Sequence, residues 1–489
     1  MSSYSNRIER VAPLPRLNPR FPLRFSERRI LLIVVDLLGL NVALLLVLFA
    51  FTQPETPIFA WAWQHQTWFL LLSVFWLLAA PLWDGYDLVR AASPNDATWS
   101  AAGAALVVSG LYWLVLLLPL PLPLPRRIYI LTLPLLSALG IGLWRLLYAT
   151  LFTQPAFQQT ALVIGAGCSG AALVRALREP DSDRPCGVGY RILGFIDDDE
   201  AKQGTCIADV PVIGTRHDLI SLHRQYQPDE LVLAISDVHE IHAELFQALL
   251  DCREQGAQVT TMASVYERLT GRVPVEYAGD DIQVVLPASP SAIYRLYTLL
   301  KRLVDIGAAA VGCLFLLLLI PPVWVANRLT NPGDLLYRQE RVGKGGCTFR
   351  VIKFRSMVMD AEKETGAVWA GQNDPRVTPA GRFLRRTRLD EVPQFWNVLR
   401  GEMSLIGPRP ERPVFVRQLQ AQIPYYQARH AVKPGITGWA QVKYRYGASV
   451  EDALMKVQYD LYYIKHQGVR LDLAILLKTV QVTLGLKGR

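Results

Sequence analysis

Apolar side chains dominate four runs in the first third of the chain, residues 30–52, 67–83, 101–121 and 128–152. Each is close to the ~20 residues that cross a hydrocarbon core as a helix. Seven arginines precede the first run, against only Glu9 and Glu27, so residues 1–29 read as a basic tail that stays in the cytoplasm. The 53–66 loop holds Glu55 and no Lys or Arg, which suits the external side. Arg126 and Arg127 run against this pattern, because four spans put their loop outside. The PLPLPLP stretch at 119–125 cannot continue a regular helix either. Four spans over 30–152 still fit better than two.

From Thr160 the period changes to that of an α/β domain over 160–266. Residues 161–164 read as a buried strand, followed by Gly165-Ala-Gly167-Cys-Ser-Gly170 and a helical run over 171–178. Further strands are expected at 192–196, 231–235 and 259–261, and the alternation implies a parallel, Rossmann-like sheet. The glycines stand in the strand–turn–helix context of a dinucleotide site, and Asp197, Asp198 and Asp199 follow at about the right distance. Gly165, Gly167 and Gly170 are therefore candidate cofactor contacts; the competing reading is a tight turn with close helix–strand packing. Tyr297 and Lys301 have the spacing of a short-chain dehydrogenase couple, but they directly precede an apolar helix, where chance or interfacial anchoring explains them.

That helix, 306–320, is wholly apolar apart from its small residues, and Pro321-Pro322 interrupts it before 323–326. Fifteen helical residues rise only about 22 Å, short of a ~30 Å core. Lys301, Arg302 and Arg328 make both flanks cytoplasmic in character. A helix over 303–327 that breaks at Pro321-Pro322 and re-enters the same leaflet satisfies both facts; a kinked fifth span is the alternative. Asp305 and Asn327 then lie near the interface.

The chain has 489 residues, room for two or three domains, and half of them are hydrophobic. The net charge of +9 suits anionic lipids and nucleotides. Nucleic acid is a poor fit, since no basic run is interleaved with a recognisable binding module. Cys168, Cys186, Cys206, Cys252, Cys313 and Cys347 form no C-x-x-C pair, which argues for free thiols in a reducing compartment. The seven histidines show no metal-ligand spacing.

The densest chemistry lies in GRFLRRTRLDEVPQFWNVLRGEMSLIGPRPERP, residues 381–413. Asp390 and Glu391 stand between Arg382, Arg385, Arg386 and Arg388 on one side and Arg409 and Arg412 on the other. Guanidinium forks clamp phosphate oxygens, and a carboxylate can bind Mg²⁺ or attack phosphorus. A plainer reading makes Asp390 the N-cap of a helix over 392–399 that Gly401 ends.

Three ordered blocks decide between them: Lys353-Phe-Arg-Ser-Met357, LDEVPQFWNVLRGEMSLIGPRP, and KPGITGWAQV at 433–442. From about Ile293 to the C-terminus the chain resembles the bacterial polyprenyl-phosphate hexose-1-phosphate transferases, the monotopic phosphoglycosyl transferases. The preceding residues resemble the large subclass, which adds membrane helices and a Rossmann-like domain. The resemblance implies an N-terminal four-helix transmembrane bundle, a Rossmann-like domain, and an α-rich catalytic domain over 290–489 with a re-entrant membrane helix. It implies Asp390 as nucleophile toward a UDP-hexose, UMP as leaving group, and polyprenyl (undecaprenyl) phosphate as acceptor. Glu391 becomes the candidate Mg²⁺ ligand, and Lys353, Arg355, Arg409 and Arg412 the phosphate-binding cations. Asp374 reads as a turn residue. The setting would be the cytoplasmic face of a bacterial inner membrane, among lipids, in a homodimer, at the start of exopolysaccharide, capsule or O-antigen assembly. The third block leans toward the glucose-type branch.

The tail interleaves Trp439, Tyr444, Tyr446, Tyr459, Tyr462 and Tyr463 with Lys443, Arg445, Lys456 and Lys465. That mixture suits lipid headgroups or an ordinary amphipathic core face equally. Two rival functions are an NAD-dependent nucleotide-sugar oxidoreductase or epimerase, and a non-enzymatic membrane scaffold. The first leaves everything after Ile306 unexplained, and the second makes Asp390 and Glu391 dispensable.

Overall fold

The computed structural model describes residues 25–52, 63, 66–80, 85–86, 91, 94–116, 129–152, 159–178, 190–235, 242–278, 292–330, 333–359, 361, 374–444, 447 and 449–484. Cys186, Arg126, Arg127, Arg445, Tyr446 and the 119–125 stretch lie outside them. Internal packing divides the chain into two units, Met1–Leu233 with His242–Thr260, and Ala234–Ile241 with Thr261–Arg489.

The first unit opens with four apolar helices, α1 (Phe25–Thr52), α2 (Gln66–Ala79), α3 (Pro94–Leu116) and α4 (Tyr129–Phe152). Each contributes to one core: Leu40 and Leu44 from α1, Leu72 and Trp76 from α2, Ala104 and Val108 from α3, Leu133 and Ile141 from α4. Glu27–Ala50 and Thr132–Leu151 are long and apolar enough to cross a membrane, while the apolar stretches in α2 and α3 are shorter. Two charges lie inside this packing. Arg145 pairs with Asp36, donates to the Gly85 carbonyl and sits over the Tyr86 ring. Burying this pair is tolerable because each charge neutralises the other.

A six-stranded sheet follows, in the order β3-β4-β2-β1-β5-β6. The strands are β1 (Gln159–Ile164), β2 (Tyr190–Ile196), β3 (Cys206–Ile207), β4 (Val210–Gly214), β5 (Glu230–Leu233) and β6 (Gln258–Thr261). β1 pairs parallel with β2 and β5, and β2 with β4, as the strand–helix alternation requires; β3 and β4 form an antiparallel hairpin. α5 (Cys168–Arg178), α6 (Leu219–Tyr226) and α7 (Ala243–Glu254) are the accompanying helices.

In the second unit, α8 (Met262–Thr270) is capped by Thr261 and ended by Gly271 in the left-handed region. Val273, Val275 and Ala278 then enter the core built around Phe415, Tyr426, Leu461 and Tyr463. Helix α9 (Ala292–Thr330) follows, then the hairpin β7 (Leu336–Val342) and β8 (Thr348–Phe354). Next come α10 (Pro379–Arg386), α11 (Gln394–Arg400), β9 (Ser404–Ile406), α12 (Pro413–Gln420), β10 (Gly435–Thr437), α13 (Trp439–Lys443), α14 (Val450–Lys465) and α15 (Val469–Leu484).

Helix α9 is two-faced. One stripe, stepping by three or four residues, meets the rest of the unit: Arg302 and Asp305 bond α11 and β9, Ala309 packs on Val351 and Val398, and Gly312 meets Phe395. Leu316, Ile320 and Val323 continue it against Phe354 and Leu384, and Asn327 donates to the Arg355 carbonyl at 3.4 Å. The opposite face, with Val311, Leu314, Leu317 and Leu318, is apolar and exposed. The helix continues past Pro321-Pro322 to Thr330, with both prolines inside it. The two imides leave the Leu317 and Leu318 carbonyls without their usual donors, a place where a helix bends.

Tyr297 and Lys301 have a structural explanation. Both donate to Asp472 Oδ2 at 2.8 Å, and Tyr463 donates to Oδ1 at 2.9 Å, joining α9, α14 and α15. The aromatic tail is mostly core. Tyr459 and Tyr463 are buried, and Trp439 stacks on Tyr462 while donating Nε1 to the Gly271 carbonyl at 3.0 Å.

Candidate active site

The site is assembled around a short 3-10 turn, Leu389–Glu391, between α10 and α11. Thr378 caps α10, and Gly381 lies so close to the Ser356 carbonyl that a Cβ there would stand 1.9 Å from it. This fixes α10 on the end of β8. Arg388 then takes a left-handed conformation, φ 56°, which reverses the chain and presents the two acids. Helix α11 begins only at Gln394, with Pro393 at its N-cap and Gly401 at its end in the left-handed region, φ 85°. Asp390 is therefore not a helix cap.

The two acids have different surroundings. Glu391 Oε1 accepts from Arg409 Nη2 at 2.7 Å and from Lys353 Nζ at 3.1 Å. Burial would raise the Glu391 carboxyl, but the Arg409 and Lys353 charges outweigh it and hold it well below the usual carboxylate range. Asp390 is buried and, among the described residues, its carboxylate takes no hydrogen bond. Burial first, then the Glu391 charge, lift it to about 6 against the pull of Lys353, Arg385 and Arg409. One acid is clamped and ionised; its neighbour is bare, with cations around it.

Each cation is held in place by the fold. Lys353 lies in β8, tied to α11 by the fully buried Asn397, which accepts from Ile352 N and donates to the Arg350 carbonyl and Glu402 Oε2. Arg409 donates Nη1 to Gln441 Oε1 at 3.1 Å. Its own carbonyl accepts from Arg429, which pairs with buried Asp460 at 2.7 Å. The segment before Arg409 is braced by parallel β9 and β10: Gly407 N donates to Thr437, and Gly435 N to Pro408. A Cβ on Gly407 would come within 2.3 Å of the Lys433 carbonyl, and one on Gly438 within 2.2 Å of Gly407. The glycines of the second and third blocks serve this close approach.

The other expected site residues fall elsewhere. Arg355 is buried and donates Nε to the Asp334 carbonyl at 2.6 Å. Arg412 precedes α12 with its guanidinium over Phe415. Asp374 is a turn residue: Arg376 bonds both its oxygens and, with burial opposing, brings its carboxyl down to about 2. Arg385, whose Nε donates to Ser356 Oγ at 2.9 Å, acts on Asp390 and was visible in the sequence only as one arginine among several. Gln441 lies in the third block, where nothing in the sequence marks it as a partner of Arg409.

Gly165, Gly167 and Gly170 lie in the first unit. Gly165 has φ 102°, and a Cβ on Gly170 would stand 2.2 Å from the Gly165 carbonyl, so both are needed for the turn itself. Asp197 Oδ2 accepts from Ala166 N at 2.7 Å and Lys202 faces both its oxygens at 3.3 Å. The acid that would bind a ribose thus closes the glycine loop.

No group of three or more His, Cys, Asp or Glu side chains converges among the described residues, so they build no all-protein metal cage. Mg²⁺ needs less: one or two carboxylates with substrate phosphates suffice. Both cations on Glu391 use Oε1, which leaves its second oxygen and the Asp390 carboxylate as a donor set that fits.

Residues 296–485 match the family described as bacterial sugar transferase. The chain is 37% identical, over 60% of its length and 67% of the relative's, to UDP-N-acetylgalactosamine-undecaprenyl-phosphate N-acetylgalactosaminephosphotransferase of Aeromonas hydrophila. It is 30% identical to the UDP-galactose-lipid carrier transferase of Erwinia amylovora over 67% of this chain and 69% of that one. UDP-glucose:undecaprenyl-phosphate glucose-1-phosphate transferase of Escherichia coli shares 44% identity over 40% of this chain and 42% of its own. The chain belongs to the bacterial sugar transferase family, as the three sequence blocks implied, and its second unit carries the family's domain.

Proposed function

We propose that this phosphoglycosyl transferase moves a hexose-1-phosphate from a UDP-hexose to undecaprenyl phosphate through a phosphosugar carried on Asp390. A carboxylate oxygen of Asp390 attacks the sugar-bearing phosphorus; the new O–P bond forms as the bond to UMP breaks, and UMP leaves with the bridging oxygen. The phosphate oxygen of the lipid then attacks the same phosphorus, the Asp390 carboxylate leaves, and polyprenyl diphosphate sugar results. The observation that carries this is the division of labour between the acids. Glu391 is held by two cations, whereas Asp390 is buried, bare and ionised above about pH 6.

Lys353, Arg385 and Arg409 would take up phosphate charge as it moves to the leaving group. Glu391 would hold Mg²⁺ together with the diphosphate, and when bound the ion would shield that charge from the anionic nucleophile. The stripe of contacts along α9 supports a re-entrant helix. Asp305 and Asn327, twenty-two positions apart in sequence, both bond polar groups of the one unit, which a straight membrane span between them would separate. With 30–152 as four spans, 160–266 as a Rossmann-like domain and 290–489 as the catalytic domain, the site faces the cytoplasmic side of the inner membrane. There, as a homodimer, the enzyme would begin exopolysaccharide, capsule or O-antigen assembly.

The test is product identity from UDP-glucose, UDP-galactose and UDP-N-acetylgalactosamine, with and without undecaprenyl phosphate. UMP release is expected. Release of UDP would mean glycosyl transfer without the phosphate and would sink the proposal.

A further inference from the structure

A second cationic cluster lies at the C-terminal end of α11, built from residues that play no part in the reaction above. Arg302 of α9 donates Nη1 to the Val398 carbonyl at 2.8 Å and Nη2 to the Leu399 carbonyl at 3.0 Å, satisfying the last turn of α11. Gly401 ends that helix with φ 85°. Where its Cβ would stand, Arg302 Nη2 is 3.3 Å and Lys433 Nζ 3.5 Å away. Lys433 cannot retreat through its backbone, because its carbonyl is pressed against Gly407 and the next residue accepts from Ser404 N at 2.9 Å.

Lys433 is short of negative charge. Among the described residues its ammonium makes no hydrogen bond or ion pair. Burial, then Arg302, and also Lys344 from the β7–β8 turn push it below an ordinary lysine; Asp305 alone pulls the other way. Asp305 is itself occupied, its Oδ1 accepting from Ser404 Oγ at 3.1 Å and Leu405 N at 2.9 Å. Three cations against one engaged carboxylate form a site that gains from an oxyanion. Its depth is set by α9, whose exposed apolar face runs beside Arg302 at Leu299 and Leu303, each more than half exposed. Cations bordering an apolar membrane face lie at headgroup level.

We infer that Arg302, Lys433 and Lys344 bind the phosphate of an anionic phospholipid headgroup, at a site separate from Asp390. Asp305, the one acid in the cluster, is already hydrogen-bonded, so nothing here is placed to attack phosphorus; the site holds a phosphodiester without reacting with it. The inference rests on α9 lying in the bilayer and not on the reaction proposed above.

Native mass spectrometry of the full chain released from nanodiscs tests it by counting retained lipids. Three preparations are compared: phosphatidylglycerol nanodiscs, phosphatidylcholine nanodiscs with undecaprenyl phosphate, and phosphatidylcholine nanodiscs in inorganic phosphate. In the first, the wild type should retain a phosphatidylglycerol whose occupancy falls about five-fold in Lys433→Gln, one interfacial cation's worth. Lys433→Arg should restore it. Lys344→Gln, on an exposed turn where folding is not at stake, should give a smaller fall. Equal retention by the wild type and both glutamine variants would overturn the site. A Lys433→Gln loss in either of the other preparations would overturn the phospholipid assignment, in favour of the acceptor's phosphate or a free anion. UMP release from the same samples reports the reaction independently.

Discussion

Replacing Glu391 by Gln should lower the pH at which the enzyme becomes active. Asp390 ionises at about 6 because burial and the Glu391 charge outweigh three cations. In the proposed reaction the ionised carboxylate is the nucleophile, so kcat/KM should rise roughly ten-fold per pH unit below about 6 and level off above it. Neighbouring carboxylates at an effective dielectric of about 20 repel by a few kcal/mol, on the order of two pH units. The neutral amide removes that repulsion and frees Lys353 and Arg409 to act on Asp390. The acid limb should therefore move to clearly lower pH, with a lower plateau because the cations are no longer held. Lys353→Met should move it the other way, since it removes a charge that favours the anion. The assay is the initial rate of UMP release across pH with undecaprenyl phosphate present, reading the midpoint and not the height. A limb that stays at 6 in both variants, or that rises in Glu391→Gln, would refute the coupling described here.

Asp390→Asn should abolish turnover with folding intact, because the amide keeps the shape but forms no stable adduct; activity within about ten-fold of wild type would remove the nucleophile assignment. Asn397→Leu strands the Ile352 amide, the Arg350 carbonyl and Glu402, so it should cost roughly 3–6 kcal/mol in denaturant unfolding, a large part of an ordinary domain's stability. A loss under about 1 kcal/mol would show that β8 and α11 are joined by other means. Single cysteines at Ser291, outside the described residues, and Thr330, in a background without the native cysteines, should be labelled from the same side of the membrane. Labelling from opposite sides would make α9 a full span.

Much of the architecture was legible from periodicity. The apolar helices and the parallel strands at 159–164 and 190–196 follow from composition and alternation, which packing has no reason to override. The short β3–β4 hairpin was not, since two to five residues carry too little pattern. Nothing about an arginine announces a left-handed backbone, so the Arg388 turn that gives Asp390 and Glu391 different surroundings was invisible. Strand alternation would put Lys353 and Arg355 on one face, but β8 ends at Phe354 and Arg355 turns inward to Asp334. The aromatic tail was ambiguous because a core face and a headgroup face share one periodicity; partners such as Gly271 and Asp472, distant in sequence, decide it.

The most direct test of the account is to catch the phosphosugar on the protein. The full chain in detergent or nanodiscs is incubated with a UDP-sugar that releases UMP, without acceptor, then quenched, digested and fragmented by mass spectrometry. Asp390 and Glu391 share the peptide that begins at Leu389, so fragment ions must separate them. One added phosphohexose is expected on Asp390, absent in Asp390→Asn and discharged when undecaprenyl phosphate is added. An adduct on Glu391, or undiminished turnover with no adduct at any acceptor concentration, would contradict it.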